Sequence, residues 1–384
     1  MAERIGSDEG GATVIRTAFR QGGRWAILAM LVLVAAATLT VGAYLLRAVS
    51  TAPFRDAAGH VQRESIASME RWQINGIEQS VILRGRKRTS PILVWVHGGP
   101  GTSETGVLRR YNSELSDSFV VVHWDQRYAG RSLNPFGPKP AHQEIDDYVS
   151  DLDVLIGNLQ RRFPCQKVVL VAHSWGTVPG VLYAERHPEK VAAYVGIGQE
   201  ADVLESERRS YSFVLSQARA RRDYSAIERL ERLGPPPRRS GNVWTPRSLL
   251  EKYGGAFHGD LSQLSLVLAS AGASEINWRD AAAFLRAHDY NVAVSDAEGR
   301  VVLNIDHTRF QVPVFFLSGR TDHVVDAPLS FAYLQRISAP QKSFVWFEHS
   351  GHYSPFEEPQ KFNTWMIERI LPLAQSACAG AEGS

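Results

Sequence analysis

Cysteine is nearly absent: the 384-residue chain carries two, Cys165 and Cys378. Two thiols exclude the disulfide frameworks of small secreted domains, and no partners stand at metal-ligand spacing around them. A single Cys165–Cys378 bridge is compatible with a compartment outside the cytoplasm, but nothing in the spacing asks for it. An excess of either charge is missing too. Lys and Arg number 42 against 40 Asp and Glu, a formal net charge of +2. The short basic clusters at Arg84 to Arg88, Arg219 to Arg222 and Arg238–Arg239 lack interleaved aromatics and read as solvated faces, which argues against a nucleic-acid partner. Internal repeats and low-complexity tracts are also lacking. With 44% hydrophobic and 21% charged residues, the composition is that of a globular protein with ample material for a core.

One long apolar run is present. Residues 25–46, WAILAMLVLVAAATLTVGAYLL, carry no charge. As a helix at 1.5 Å per residue they would extend about 33 Å, enough to cross a bilayer core. Arg16, Arg20 and Arg24 precede the run, and Trp25 and Tyr44 lie near its ends. The small residues of TVGA also suit a cleaved secretory signal, but the run exceeds a usual signal core. The expectation is a cytoplasmic segment 1–24, a transmembrane anchor 25–46, a juxtamembrane linker 47–70 and an extracytoplasmic body.

Within that body, RWQINGIEQSVIL reads as a hairpin around Asn75-Gly76. Four short apolar runs follow, at 92–96, 119–124, 167–172 and 192–198, and two more at 312–318 and 342–348. They suit strands buried on both faces of a parallel sheet. Between the second and third, Tyr148, Leu152, Leu155, Leu159 and Phe163 recur at helical spacing behind Asp146 and Asp147. A helix from about Pro359 to Leu371 closes the pattern. Alternation of this kind predicts a doubly wound α/β fold with core segments 71–198 and 307–373 and a flexible tail 374–384. The interval 199–306 breaks the rhythm with amphipathic helices, GPPPRRSGN and scattered aromatics. It reads as an inserted, mainly helical cap.

The stretch AHSWG (172–176) falls at a strand-to-helix corner. Ser174 there either caps the helix or is a nucleophile held out of the packing. A serine hydroxyl needs a histidine to take its proton, and that histidine an acid to fix its tautomer. Both follow in order: Asp322 in LSGRTDHVV and His352 in EHSGHYSPFEEP, each after its own predicted strand. HGGPG (97–101) follows the strand at 92–96, so the backbone N–H groups of Gly99 and Trp175 are candidate oxyanion donors. Each element alone is weak, since a single His or Asp is more often structural. The ordered set points to a serine hydrolase, with no metal or organic cofactor implied.

HGGPG, WDQRYAGRS (124–132), AHSWGT and SGHYSPFEEP together resemble the proline iminopeptidase branch of the α/β hydrolases, from about Ile92 to Phe362. The resemblance implies an α/β-hydrolase fold, Ser174 as nucleophile with Asp322 and His352 as partners, and Gly99 and Trp175 as oxyanion donors. It also implies cap glutamates that hold a substrate's free amino group. Glu200, directly after a core strand, is the candidate for that carboxylate or for an alternative acid. Glu205 and Glu207 read as a solvated helix face beside Arg208 and Arg209. Tyr128 replaces a usual glycine and is expected near the mouth of the site, where it would shape substrate access. Ala172 also replaces a glycine. The expected substrate is a small molecule or short peptide, cleaved through an acyl-enzyme as by a prolyl aminopeptidase. The competing reading is an esterase or lactonase for small apolar esters; a non-catalytic binding module would require a broken triad.

Overall fold

A computed structural model describes residues 25, 28–43, 48–140, 142–238 and 244–379. Residues 28–43 are helical and mostly solvent-exposed. The expected anchor 25–46 and segment 1–24 fall partly or wholly outside the described residues, among which no helix is long and apolar enough to cross a membrane.

The chain from Val49 onward forms one compact unit. Its first strands, β1 (Ile66–Ile74) and β2 (Ile77–Gly85), pair antiparallel through a two-residue turn in which Asn75 and Gly76 take φ of 47° and 78°. Positive φ at both positions is what a type I′ hairpin turn requires, and Asn-Gly supplies it at little cost. The remaining strands are β3 (Ile92–Val96), β4 (Val120–Asp125), β5 (Val168–His173), β6 (Val191–Ile197), β7 (Val314–Gly319) and β8 (Lys342–Phe347). They complete an eight-stranded sheet in the order β1-β2-β4-β3-β5-β6-β7-β8, parallel from β4 onward.

The apolar runs serve both faces of this sheet. Val94, Leu170 and Ala172 contribute to one buried cluster, while Leu93, Trp95, Val169 and Val171 contribute to the other. Alternate residues therefore meet helices on opposite sides, and a run with no polar gap is the consequence. Helix α1 (Thr105–Tyr111) follows β3. Helix α2 (Ile145–Arg162) buries Tyr148, Leu152, Leu155 and Leu159, with Glu144 and Asp147 forming a reciprocal cap at its start.

Two expected boundaries move. Residues from Ser50 belong to the body rather than to a linker: the Ser50 N–H donates to Ser274 O at 3.1 Å, and β1 begins inside the span assigned to the linker. At the other end, helix continues to Ala379 through a π turn at Met366–Ile370, and Ala374 is buried. Cys378 is disulfide-bonded to Cys165, so 374–379 is tied to the core instead of forming a tail. Residues 380–384 lie outside the described set.

The cap enters between β6 and β7. An isolated antiparallel bridge between Asp202 and Val302 joins its two ends. It consists of α3 (Val203–Ala220), α4 (Tyr224–Leu233), α5 (Arg247–Lys252), α6 (Gln263–Gly272), α7 (Trp278–Tyr290), α8 (Val292–Glu298) and a short turn before β7.

Candidate active site

From β3 the chain passes to β4 on one side and later returns to β5 on the other. The carboxyl ends of β3 and β5 thus flank a switch point, where a crevice opens because successive connections diverge. HGGPG leaves β3 there and Ser174 leaves β5. Ser174 has φ of 53°, a left-handed conformation unfavourable for a residue with a Cβ. Buried β5 and the helix beginning at Thr177 impose it. Gly176 is required by contact: a Cβ there would lie 2.3 Å from Val96 O. The turn thus runs against the end of β3 and leaves the Ser174 side chain facing the crevice. Ser174 is no helix cap here, since the helix that follows has no side-chain cap.

Asp322 and His352 reach the same place from the ends of β7 and β8. Asp322 Oδ2 lies 2.9 Å from His352 Nδ1, and its Oδ1 accepts the N–H groups of Val324 and Val325 at 2.9 and 3.0 Å. A carboxylate on Nδ1 places the ring proton on that nitrogen and leaves Nε2 as the basic lone pair. Burial pushes the His352 imidazole below its ordinary pKa; Asp322 opposes this, while His173 and Arg247 add to it. The ring is therefore neutral near pH 7, the form able to take a proton.

Gly99, with φ of 130°, lines the crevice beside Ser174. Its geometry excludes a side chain, since a Cβ would fall 2.6 Å from Gly101 N. Trp175 is fully buried and its indole Nε1 donates to Gln126 Oε1 at 3.0 Å, so only its backbone can face a ligand.

The crevice widens into a cavity of about 620 Å³ lined by Gly98, Gly99, Ser174, His352 and the cap residues Arg247, Phe284, Asn291 and Glu298. Glu200 lies in its wall, and its buried Oε2 has no hydrogen-bond partner. Burial, with Glu207 as the next contributor, pushes its pKa up to about 8. Glu298 is likewise raised by burial and by Glu200. Glu207, expected on a solvated face, is instead only 1% exposed, pairing with Arg247 at 2.6 Å and accepting the Thr245 N–H at 2.6 Å. The helical face that looked polar turns inward because the cap folds back over it. Glu205 does bond Arg209 on the half-exposed side. Tyr128 does not line the cavity; it packs against the cluster of Leu133, Ala283, Ala287 and Tyr290, and its carbonyl accepts from Asn291. Three carboxyl groups thus surround one guanidinium; Glu207 pairs with it, and burial holds Glu200 and Glu298 toward their neutral forms.

A family model described as alpha/beta hydrolase fold matches residues 91–359. The chain belongs to this α/β-hydrolase family. Among curated proteins it is similar to a probable aminopeptidase of Bacillus subtilis (strain 168), 29% identical over 308 residues, covering 78% of this chain and 95% of the relative. A probable proline iminopeptidase of Streptomyces coelicolor is 31% identical over 166 residues, 41% of this chain and 46% of that protein. Among solved structures, a proline iminopeptidase-related protein of Thermus thermophilus superposes with a TM-score of 0.57 at 18% identity, covering 81% of this chain and 99% of that one. That last likeness speaks for the fold. The chain is a hydrolase of this family, similar to proteins named as aminopeptidases and proline iminopeptidases.

Three supports of this hydrolase site are not evident from motif spacing. Glu104 binds His173 Nδ1 at 2.5 Å behind the serine turn. Gln126, from WDQRYAGRS, donates its side-chain amide to His97 O at 2.7 Å and accepts from Trp175, joining the loop after β4 to the glycine loop and the turn. Glu357 accepts the N–H groups of Gly351 and Tyr353 at 2.9 and 3.2 Å, and Glu358 accepts from Ser350 Oγ at 2.7 Å, so the two acids of PFEEP clasp the loop that carries His352. Among the described residues no group of three or more His, Cys, Asp or Glu is arranged to hold a metal ion.

Proposed function

We propose that this hydrolase is an aminopeptidase acting on small peptides or amides with a free amino terminus, through an acyl-enzyme on Ser174. His352 takes the Ser174 proton as Oγ attacks the carbonyl carbon and later delivers it to the departing amine. Asp322 holds the imidazole and offsets its positive charge. The N–H groups of Gly99 and Trp175 receive the developing oxyanion. Water, deprotonated by the same histidine, then releases the acid and restores the serine.

The observation that carries the substrate assignment is the unpartnered Oε2 of Glu200, with Glu298 beside it, in the wall of the cavity that holds Ser174. A buried carboxylate without a partner is costly. Burial therefore keeps the free Glu200 protonated near pH 7; a substrate ammonium lets it ionise and form a charge-assisted pair, which a neutral ester cannot do. Replacing Glu200 by Gln is expected to lower kcat/KM on proline p-nitroanilide by about 10²-fold or more, because a charge-assisted bond is lost. Turnover of a short-chain p-nitrophenyl ester should change by less than about threefold. Equal losses on both substrates would sink the assignment and favour an esterase.

We further propose that 25–46 anchors the enzyme, with its body in an oxidising, extracytoplasmic compartment. The charge-free run supports this, as does the Cys165–Cys378 bridge, because disulfides persist mainly outside the cytoplasm. Retention in the membrane pellet after alkaline carbonate extraction tests it; release into the supernatant would contradict it.

A further inference from the structure

His173 and Glu104 take no part in the chemistry above, yet both are buried in the wall of the cavity and touch all three of its catalytic loops. Glu104 Oε2 accepts from Trp95 Nε1 at 2.7 Å, and Oε1 lies 2.5 Å from His173 Nδ1 and 3.4 Å from the Gly98 N–H. The other ring nitrogen, His173 Nε2, lies 3.1 Å from the backbone carbonyl of His352. A carbonyl only accepts, so Nε2 carries a proton. With Glu104 ionised, Nδ1 donates to it as well, and the ring is an imidazolium. Burial alone would raise Glu104 and lower His173. Their mutual attraction outweighs it, holding Glu104 below and His173 above their ordinary values.

We propose that the Glu104–His173 ion pair is a positioning device, pinning the glycine loop, the serine turn and the histidine loop in one register. It rests on the assignment of Ser174 and His352 given above. Each link is direct: Gly98 adjoins Gly99, His173 adjoins Ser174, and the bonded carbonyl belongs to His352 itself. The pair also sets charge. The His173 ring lies 4.9 Å from the His352 ring, so a fixed cation faces the base. The other charged or titratable groups acting on these rings are Asp322, Arg247 and Tyr353 around His352 and His97 beside Glu104.

The test uses the full chain with Glu104→Gln and, separately, His173→Gln, assayed on proline p-nitroanilide and a p-nitrophenyl ester. Loss of register should lower kcat by about 10- to 100-fold on both substrates with KM changed less than about threefold. Removing the cation should also move the acid limb of kcat/KM upward by about one pH unit, which loosened packing alone would not do. Parental kcat and an unmoved acid limb in both variants would overturn the proposal. Should either variant fail to fold, nitrogen-15 NMR of histidine rings in the unmodified chain decides it. A doubly protonated His173 at pH 7 supports the pair as drawn, and a singly protonated one refutes it. That measurement does not depend on turnover, whereas activity surviving in Ser174→Ala would instead fail the assignment of Ser174 as nucleophile.

Discussion

Replacing Asp322 by asparagine exchanges one carboxylate oxygen for an amide nitrogen, and the structure dictates which one. Oδ1 accepts two backbone N–H groups, from Val324 and Val325. The amide must keep its carbonyl oxygen there, because an NH₂ group cannot accept. Its NH₂ then points at His352 Nδ1, the position Oδ2 occupies at 2.9 Å. A donor facing Nδ1 drives the ring proton to Nε2, so the base toward Ser174 is lost while every hydrogen bond is kept. Neutralising a triad acid in this way costs about 10⁴ in kcat, equivalent to about 5.5 kcal/mol of barrier. Thermal stability should move little, since no cavity opens and no donor is orphaned. Initial rates on a p-nitrophenyl ester, with the melting temperature measured in parallel, make the comparison. A folded Asp322→Asn enzyme losing less than about tenfold would refute this role and turn attention to Glu200 as the acid.

Other outcomes follow from the same geometry. Because His352 is pushed below the ordinary imidazole range and must be neutral to act, kcat/KM on a p-nitrophenyl ester, which does not engage Glu200, should fall only as pH drops through a value under about 6.5; an acid limb above 7 on that ester would contradict the buried, neutral base. Reducing Cys165–Cys378, which closes a separation of 213 residues, should cost about 2–5 kcal/mol of stability. Melting with and without a reductant tests this, and an unchanged midpoint would count against the bridge. The rate on small esters should survive reduction at low temperature, since the bridge touches no cavity residue.

The sheet was readable because local chemistry specifies it. Runs such as ILVWV and KVVLVA have no polar gap, which suits two-sided burial, and Asn75-Gly76 meets the demand for two positive φ values. The candidate site residues were readable through order along the chain, each sitting after its own strand. What could not be read depends on which surfaces meet. The Glu205–Glu207 stretch has the charge pattern of an exposed helix, yet Glu207 turns inward to Arg247 because α5 packs over it. Nothing local to Cys165 indicates that Cys378, at the end of the last helix, returns beside it. Tyr128 adjoins the site in sequence but is drawn onto α7 by an apolar cluster. His173 looked like one flank of a motif, and its role depends on Glu104, 69 residues earlier. The glutamates of PFEEP were visible as a motif, but the loop N–H groups they accept were not.

The most direct measurement reacts the purified enzyme with a fluorophosphonate and locates the adduct by peptide mass spectrometry. The account predicts one adduct, on the peptide containing Ser174, absent in Ser174→Ala together with all turnover, and formed far more slowly in His352→Ala. Labelling on another residue, or undiminished hydrolysis by Ser174→Ala, would contradict it.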